Sequence, residues 1–458
     1  MNTFRFATDL YGQLRGYGRW SIRRAVARSA RLDTGTLAAA TEALLKRRVQ
    51  QAVTRFPGYA EAVRRRLGCI PAPDGNIRLE ELPVWTRADQ RALFEALQSL
   101  PLPGCFRHST GGSTGVPLRF YITRESFEWR AAVSDRGYSW AGAEEGRRSY
   151  YVWGTPIYAP GRAARWKQAL HHALQCRTYF DSFCFGDVEK EACCREIGSL
   201  RPPVIVGYAG NLIELAWFVK SHPELWTWRP AWIVTAAEGL APGRRELIEE
   251  YLGGKVFMSY GSREFMLIGM ECAEHRGYHV ASDNLCVEVV DAEGRPSQPG
   301  ETGRILVTDL HNDANPFVRY EIGDLGTVFG PGYRCPCGLP FPLVATVEGR
   351  LQEVIVTADG QRLTALFIPH LMKEFPWVRG YQIAQGASDS VTVNLVTEEA
   401  VTAELTEPIR RALAPKLGAG TRILFARVAA LSKTSSGKTP IVIGQAAGAT
   451  GGAPTAQV

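Results

Sequence analysis

The sequence has 458 residues, of which 45% are hydrophobic and 22% charged, and a formal net charge of +7. A chain longer than about 300 residues exceeds a single hydrophobic core, so we expect two or more globular domains and exclude a disordered or fibrous chain. It contains no run of 18 apolar residues, and its basic first 33 residues lack the features of a secretion signal. We therefore expect a cytoplasmic protein that does not bind membranes and keeps its cysteines reduced.

The basic residues are spread along the chain and do not form one dense run. This distribution favours a small anionic ligand, such as a nucleotide or a coenzyme with phosphates. No recognised nucleic-acid motif accompanies the charge, so we expect no nucleic-acid partner.

The first clear pattern is helical, with apolar residues at three- and four-residue spacing over residues 34–66. From residue 147 to residue 261 strand-like and helix-like segments then alternate. The predicted strands are RRSYYVWG, PPVIVGYAG, PAWIVTAAE and KVFMSYG, and the predicted helices are NLIELAWFVKSH and PGRRELIEEYLG. This alternation predicts a parallel sheet covered by helices.

After Gly277 the pattern changes to shorter strand candidates, NLCVEVVD, GRILVTDL and DLGTVFG, which suggest a β-rich subdomain. Past Gly349 a compact α+β module of ordinary domain size follows. We predict an α/β fold with a large N-terminal domain over residues 1–349, a small α+β C-terminal domain over residues 350–444, and a disordered tail over residues 445–458.

The stretch STGGSTG, residues 109–115, has the composition of a phosphate-binding loop. Glycines allow backbone N–H groups to approach an anion, and the hydroxyl side chains add further donors. The alternative is a flexible turn between two strands. No lysine follows the last glycine, so the loop is not of the Walker type.

Four later segments follow this loop: YGSRE (260–264), RYEIGD (319–324), EGRLQE (348–353) and TSSGKT (434–439). In this order the series resembles the motifs of the adenylate-forming superfamily of acyl-CoA ligases. The segments VIVGYAGNLIELA, TAAEGL, ECAEHRGYHV and CPCG resemble its phenylacetate-CoA ligase-like branch, which includes relatives from capsular polysaccharide clusters. The resemblance implies a large AMP-binding domain and a small mobile C-terminal domain.

The resemblance also implies the nucleotide site. Tyr260 would stack on adenine, with Gly261 in the same site, and Asp324 and Arg350 would bind the ribose. The loop would hold the β- and γ-phosphates of ATP through Ser109, Thr110, Gly111, Gly112, Ser113, Thr114 and Gly115.

Two residues are assigned to catalysis by the same resemblance. Glu264 would hold Mg²⁺, and Lys438 would reach the α-phosphate and the carboxylate of the acid. The chain departs from the family pattern at Val116, where a lysine is frequent, and at Gln352, where the small domain would rotate. Arg263 replaces a hydroxyl residue, and we expect it to supply charge for the phosphates.

Three cysteines and one histidine suggest a structural zinc site: Cys272, His275, Cys335 and Cys337. Three thiolates and one imidazole are a common donor set for tetrahedral zinc, and the pairs C-x2-H and C-x-C each lie on a short loop. His279 is the competing ligand. The alternative is a set of unlinked, reduced cysteines.

The acyl pocket is assigned only by resemblance, to Trp153, Tyr208, Ala236 and Ala237, with Glu238 shared between this pocket and the cofactor site. Aromatic and small side chains suit a flat aryl or arylacetic acid. The alternative is that Trp153 and Tyr208 belong to the core.

We therefore predict an enzyme that uses ATP and Mg²⁺ to convert a carboxylic acid into an acyl-adenylate, releases pyrophosphate, and transfers the acyl group to a thiol, that of coenzyme A in the first place. Transfer to an amine or to a carrier-protein thiol remains an alternative. So does a degenerate homologue that binds nucleotide without turnover. A homodimer is a further expectation.

Overall fold

The computed structural model describes residues 18–72, 78–97, 104–110, 118–153, 166, 169–170, 172–173, 175–182, 185–236, 239–240, 243–349, 354–358, 362–365, 367–372, 374–375, 377–378, 380–387, 389–418, 420–429, 431–432 and 441–444. The chain divides into two compact units. The first consists of Met1–Ser109 and Arg119–Gly349, and the second includes the residues from Arg350 onward. None of the described helices is long and apolar enough to cross a membrane.

The N-terminal region is helical, with α1 (Arg19–Ser29), α2 (Thr34–Arg55), α3 (Pro57–Leu67), a short 3₁₀ helix (Leu79–Glu81) and α4 (Arg87–Leu97). The predicted helical stretch is interrupted at Phe56, whose backbone is extended (φ −120°, ψ 95°). Proline lacks an N–H and disfavours helical geometry in the preceding residue, so Pro57 starts a new helix.

A hairpin of β1 (Cys105–Ser109) and β2 (Arg119–Thr123) carries the predicted phosphate loop between its strands. These two strands form a sheet of their own. Helix α5 (Arg124–Trp140) follows directly, and the Oγ1 of Thr123 caps it by accepting from the N–H of Ser126.

The main sheet described by the structure has 11 strands in the order β10-β11-β12-β13-β9-β8-β7-β6-β5-β3-β4. Pairings among β3 to β7 are parallel, as predicted. This half consists of β3 (Ser149–Trp153), β4 (Arg177–Asp181), α6 (Asp187–Leu200), β5 (Val204–Tyr208), α7 (Ala209–Ser221), a 3₁₀ helix (Pro223–Leu225), β6 (Trp232–Ala236), α8 (Arg244–Leu252) and β7 (Lys255–Ser262). Strand β4 and helix α6 were not predicted.

The other half is antiparallel and consists of β8 (Met266–Met270), β9 (Tyr278–Val280), β10 (Leu285–Val290), β11 (Gly303–Asp309), β12 (Tyr320–Val328) and β13 (Leu343–Gly349). These strands were expected to form a separate subdomain. They continue the same sheet instead, because β7 pairs in parallel with β6 on one side and antiparallel with β8 on the other.

Both faces of the parallel half are buried, as is usual for parallel strands. Successive residues contribute to opposite faces. The face covered by α6, α7 and α8 includes Tyr150, Val152, Ile205, Ile233 and Val256. The other face includes Val204, Val206, Val234 and Phe257, with Tyr138 of α5 and Trp153 packed against them.

The second unit contains β14 (Val354–Val356), β15 (Arg362–Thr364), α9 (Phe367–Met372), β16 (Gly380–Ala387), β17 (Ser390–Val396), α10 (Ala403–Leu417), β18 (Arg422–Arg427) and β19 (Val442–Gly444). Strands β18, β17, β16 and β19 form one sheet in that order. Its core includes Ile383, Val393, Ile409 and Leu413. The predicted tail, residues 445–458, lies outside the described residues.

Candidate functional site

An aromatic pair and a small side chain meet at the carboxyl edge of the parallel strands. The rings of Trp153, at the end of β3, and Tyr208, at the end of β5, have centroids 4.3 Å apart at an interplanar angle of 31°. Ala236, at the end of β6, is the register partner of Tyr208. Ligands of parallel α/β sheets bind at this edge. The remaining predicted pocket residues, Ala237 and Glu238, lie outside the described residues.

Two predicted nucleotide-binding residues contact each other. The hydroxyl of Tyr260, on β7, donates a hydrogen bond of 2.9 Å to Oδ2 of Asp324, on β12. The tyrosine is buried and the aspartate half-buried. A phenol donating to a carboxylate makes a charge-assisted bond, so the aspartate is held in one orientation.

The residue after Tyr260 has to be a glycine. A Cβ atom added at Gly261 would lie 2.2 Å from the carbonyl oxygen of Met266, across the β7–β8 pair. This close approach of two backbones explains the second residue of YGSRE.

The end of YGSRE lies beside the strand that leads into the phosphate loop. Glu264 is buried and Arg263 is exposed, in the turn between β7 and β8. On β1, the pKa of His108 is lowered, first by burial and then by the nearby cations Arg263 and Arg130. The imidazole is therefore neutral at pH 7, and the positive charge near His108 comes from the two arginines.

The base of the phosphate loop is closed by hydrogen bonds between Thr110 and Leu118. The backbone N–H of Thr110 donates to the carbonyl of Leu118 at 2.9 Å, and the N–H of Leu118 donates to Oγ1 of Thr110 at 2.9 Å. The Thr110 hydroxyl oxygen thus bonds the backbone, which the sequence did not predict. Ser109 is exposed at the end of β1.

Several predicted site residues lie outside the described residues, and their assignments stay predictions. In the loop these are Gly111, Gly112, Ser113, Thr114, Gly115 and Val116. At and beyond the end of the first unit they are Arg350, Gln352 and Lys438.

A cysteine–histidine cluster lies in the antiparallel half. One ligand atom from each of Cys272, His279, Cys335 and Cys337 lies within 4.8 Å of every other. The Sγ atoms of Cys272 and Cys335 are 3.6 Å apart, and Sγ of Cys337 lies 3.3 Å from Nε2 of His279. Nδ1 of His279 lies 3.2 Å from the carbonyl oxygen of Phe341.

The histidine in this cluster is His279, not His275 as predicted. The ring of His275 bonds elsewhere, with Nδ1 3.0 Å from Nη1 of Arg245 and 3.3 Å from Glu271. His279 reaches the cluster because β9 pairs with β13, just after the Cys335 loop. Chain spacing favoured the nearer histidine, whereas strand pairing selects the other one.

Curated relatives of the chain are phenylacetate-coenzyme A ligases. The protein from Thermus thermophilus is 29% identical over 333 residues, 70% of this chain and 72% of the relative. The Escherichia coli protein is 27% identical over 257 residues, 54% of this chain and 57% of the relative. Residues 355–445 match the family described as the CapK C-terminal domain.

Solved structures of 2-hydroxyisobutyryl-CoA ligase have the same fold. The thioesterification-state complex with 2-HIB-AMP and CoA superposes with a TM-score of 0.60 at 20% identity, covering 91% of each chain. An open conformation of that ligase gives a TM-score of 0.55, covering 89% of this chain and 91% of that one. The chain is therefore similar to phenylacetate-coenzyme A ligases over 70% of its length and shares the fold of 2-hydroxyisobutyryl-CoA ligase.

Sequence reasoning missed residues that lie next to the predicted motifs. His108 directly precedes the phosphate loop, and Asn312 and Asn315 contact the strand that follows it. The sequence did contain a signal for the two asparagines: the segment HNDANP has two amides close together, and a surface loop would not need them. Both asparagines are in fact fully buried.

Proposed function

We propose that this chain activates a carboxylic acid with ATP as an acyl-adenylate and transfers the acyl group to coenzyme A. One observation carries the proposal. Tyr260, which bonds Asp324, lies on β7; the neighbouring strand β6 ends at Ala236, and the next strand, β5, carries Tyr208 of the Trp153–Tyr208 pair. A nucleotide site beside an aromatic pocket is the arrangement that joining an acid to AMP requires.

In the first step a carboxylate oxygen of the acid attacks the α-phosphorus of ATP, and the bond from that phosphorus to pyrophosphate breaks. Two anions must meet, so fixed positive charge lowers the barrier. Arg263 and Lys438 are the side chains that we assign to this task. The buried carboxylate of Glu264 is a donor of the kind that Mg²⁺ prefers, and Mg²⁺ bound there would neutralise phosphate charge.

In the second step the sulfur of coenzyme A attacks the acyl carbonyl, AMP leaves with the electron pair of the C–O bond, and the thiol proton passes to solvent. For the acid we propose an aryl or arylacetic compound. The rings of Trp153 and Tyr208 offer flat apolar surface, and Ala236 is small. Aromatic pairs of this kind favour a planar apolar group.

We also infer that Cys272, His279, Cys335 and Cys337 bind a structural zinc ion. A tetrahedral zinc ion bound to sulfur and nitrogen requires ligand atoms about 3.3 to 3.8 Å apart. Two contacts within the cluster, 3.6 Å between Cys272 and Cys335 and 3.3 Å between Cys337 and His279, fall in this range, and all four ligand atoms lie within 4.8 Å of one another. The contact of His279 Nδ1 with the Phe341 carbonyl fits an N–H donor there, which leaves Nε2 as the metal ligand.

The proposed activity is tested by pyrophosphate release from ATP and Mg²⁺ in the presence of aryl, arylacetic, fatty and amino acids, each with and without coenzyme A. We expect release with an aryl or arylacetic acid, a further rise with coenzyme A, and an acyl-CoA product by mass spectrometry. Activity only with a fatty or amino acid would contradict the acid class. Release that coenzyme A does not raise, together with a product formed from an added amine, would contradict the acceptor.

The Tyr260–Asp324 bond makes a separate prediction. Replacing Tyr260 with phenylalanine keeps the ring but removes its hydrogen bond to the Asp324 carboxylate, so we expect KM for ATP to rise about tenfold. The KM for the acid should change less than twofold. The matched control is Tyr278→Phe, because the hydroxyl of Tyr278 bonds Sδ of Met258 and its ring lies 6.1 Å from that of Tyr260. Equal effects of the two variants would show that the bond to Asp324 has no special role.

A further inference from the structure

Among the residues that the structure describes, the β1–β2 hairpin has no strand-to-strand bonds to the main sheet. Strands β1 and β2 pair only with each other among the described strands. Apolar contacts help to fix the hairpin, including Phe120 against Phe317 and Tyr121 against Phe94. Apolar contacts do not fix the position of a strand along its own axis, whereas directional hydrogen bonds do.

A side-chain amide takes the place of a neighbouring strand on β2. Nδ2 of Asn312 donates to the carbonyl of Tyr121 at 3.1 Å, and its Oδ1 accepts from the N–H of Thr123 at 3.3 Å. The carbonyl of one residue and the N–H of the second residue after it point to the same side of a strand, so one amide satisfies both. Asn312 thereby binds β2 in a single register.

A second buried amide reinforces this contact. Nδ2 of Asn315 also donates to the Tyr121 carbonyl, and Oδ1 of Asn315 accepts from Nε2 of Gln90 at 2.8 Å. The indole of Trp85 donates to Oε1 of Gln90 at 3.2 Å. The side-chain amides of Asn312, Asn315 and Gln90 are all completely buried. A buried amide whose oxygen and nitrogen both form hydrogen bonds has one allowed orientation, so this hydrogen-bond network is rigid.

The segment between β11 and β12, which contains Asn312 and Asn315, also anchors the helix after the hairpin. Nη2 of Arg130, on α5, lies 2.5 Å from Oδ2 of Asp309, at the end of β11, and both side chains are completely buried. Asn312 and Asn315 follow in the connection to β12, and β12 carries Asp324. The strand that leaves the phosphate loop and the strand that carries the predicted ribose ligand are therefore fixed to one segment, residues 309–315.

We propose that Asn312 and Asn315 are positioning residues for ATP: they hold β2, the strand that directly follows the predicted phosphate loop, in one register. Neither side chain has to touch the nucleotide. The inference rests on the proposed function, because it concerns the binding of ATP at that site.

The test is the dissociation constant of ATP·Mg²⁺, measured by calorimetry without acid or coenzyme A, for Asn312→Ala. We expect the dissociation constant to rise about tenfold, since the two hydrogen bonds from Asn312 to β2 are lost. In turnover the KM for ATP should rise by the same factor, with the KM for the acid within twofold of wild type. Asn284→Ala is the control, because Asn284 is also fully buried and its amide has no hydrogen-bond partner among the described residues.

A second variant covers a failure of the alanine variant to fold. Asn312→Asp keeps an acceptor for Thr123 but places a carboxylate oxygen against the Tyr121 carbonyl. We expect its ATP affinity, relative to wild type at the same pH, to be weak at pH 8 and to recover near pH 5, where a protonated acid donates to that carbonyl. A purely structural role predicts no such recovery.

Three results would overturn the inference. The first is an unchanged ATP dissociation constant in Asn312→Ala despite a lower melting temperature, and the second is an equal loss of affinity in Asn284→Ala. The third is a wild-type chain that binds no ATP, which would overturn the proposed function as well. A wild-type chain that binds ATP but releases no pyrophosphate with any acid would contradict the proposed function alone.

Discussion

Replacing Lys438 with alanine is expected to lower acid-dependent pyrophosphate release at least a hundredfold, while ATP affinity changes less than about threefold. The lysine is assigned to the α-phosphate and the attacking carboxylate, where negative charge concentrates only as the two groups meet. Removing a donor of that kind costs roughly a hundred- to a thousandfold in turnover. Pyrophosphate release in single-turnover experiments measures the first quantity, and calorimetry with ATP·Mg²⁺ measures the second.

Lys416→Ala is the control, because Lys416 lies at the end of α10 and has no assigned role. It should retain wild-type turnover. If Lys438→Ala turns over as fast as wild type, the assignment of TSSGKT to the first chemical step is wrong. If the wild-type chain itself binds ATP and shows no release with any acid, the degenerate homologue becomes the correct description, and the departures at Val116 and Gln352 become its explanation.

Replacing His279 with alanine is expected to abolish zinc binding, from about one ion per chain to nearly none, and to lower the melting temperature by about 5 °C or more. A structural metal contributes its binding free energy to folding, so losing one of four ligands removes much of that contribution. Metal content by mass spectrometry and thermal unfolding measure the two effects.

His275→Ala is the matched control for this experiment. It removes a histidine four residues earlier, whose ring contacts Arg245 and Glu271 and not the cluster. Zinc should remain bound in this variant. Loss of zinc from His275→Ala together with its retention in His279→Ala would restore the ligand set that chain spacing favoured, and a wild-type chain that takes up no zinc would contradict the site.

The parallel half of the sheet was predictable because each of its signals is local. A buried strand such as β5 is a short apolar run, and helix α7 begins directly after it. The joining of both halves into one sheet was not predictable. It depends on β7 pairing with β6 on one side and with β8 on the other, and no pattern within any one of these segments reveals its neighbours. Strand β4 was missed because its residues are only half-buried at the sheet edge.

The candidate site divides in the same way. Motif residues such as Tyr260 and Asp324 were found from the sequence, and the structure brings them into contact. The choice of His279 over His275 depends on the pairing of β9 with β13, and the role of Asn312 depends on which strand edge is open. Both are properties of tertiary contacts between distant segments, which no local pattern reports.

The position of β7 has a consequence for how acid specificity can diverge. The side chains proposed for the acid pocket, Trp153, Tyr208 and Ala236, lie on β3, β5 and β6, whereas Asp324 and the Glu264 turn lie on the other side of β7. Among the described strands only β7 pairs with both halves, so we expect substitutions on the first three strands to leave the backbone around Tyr260 and Asp324 in place. If the proposed assignments hold, we expect single substitutions on these three strands to change the acid that is accepted while the affinity for ATP stays the same.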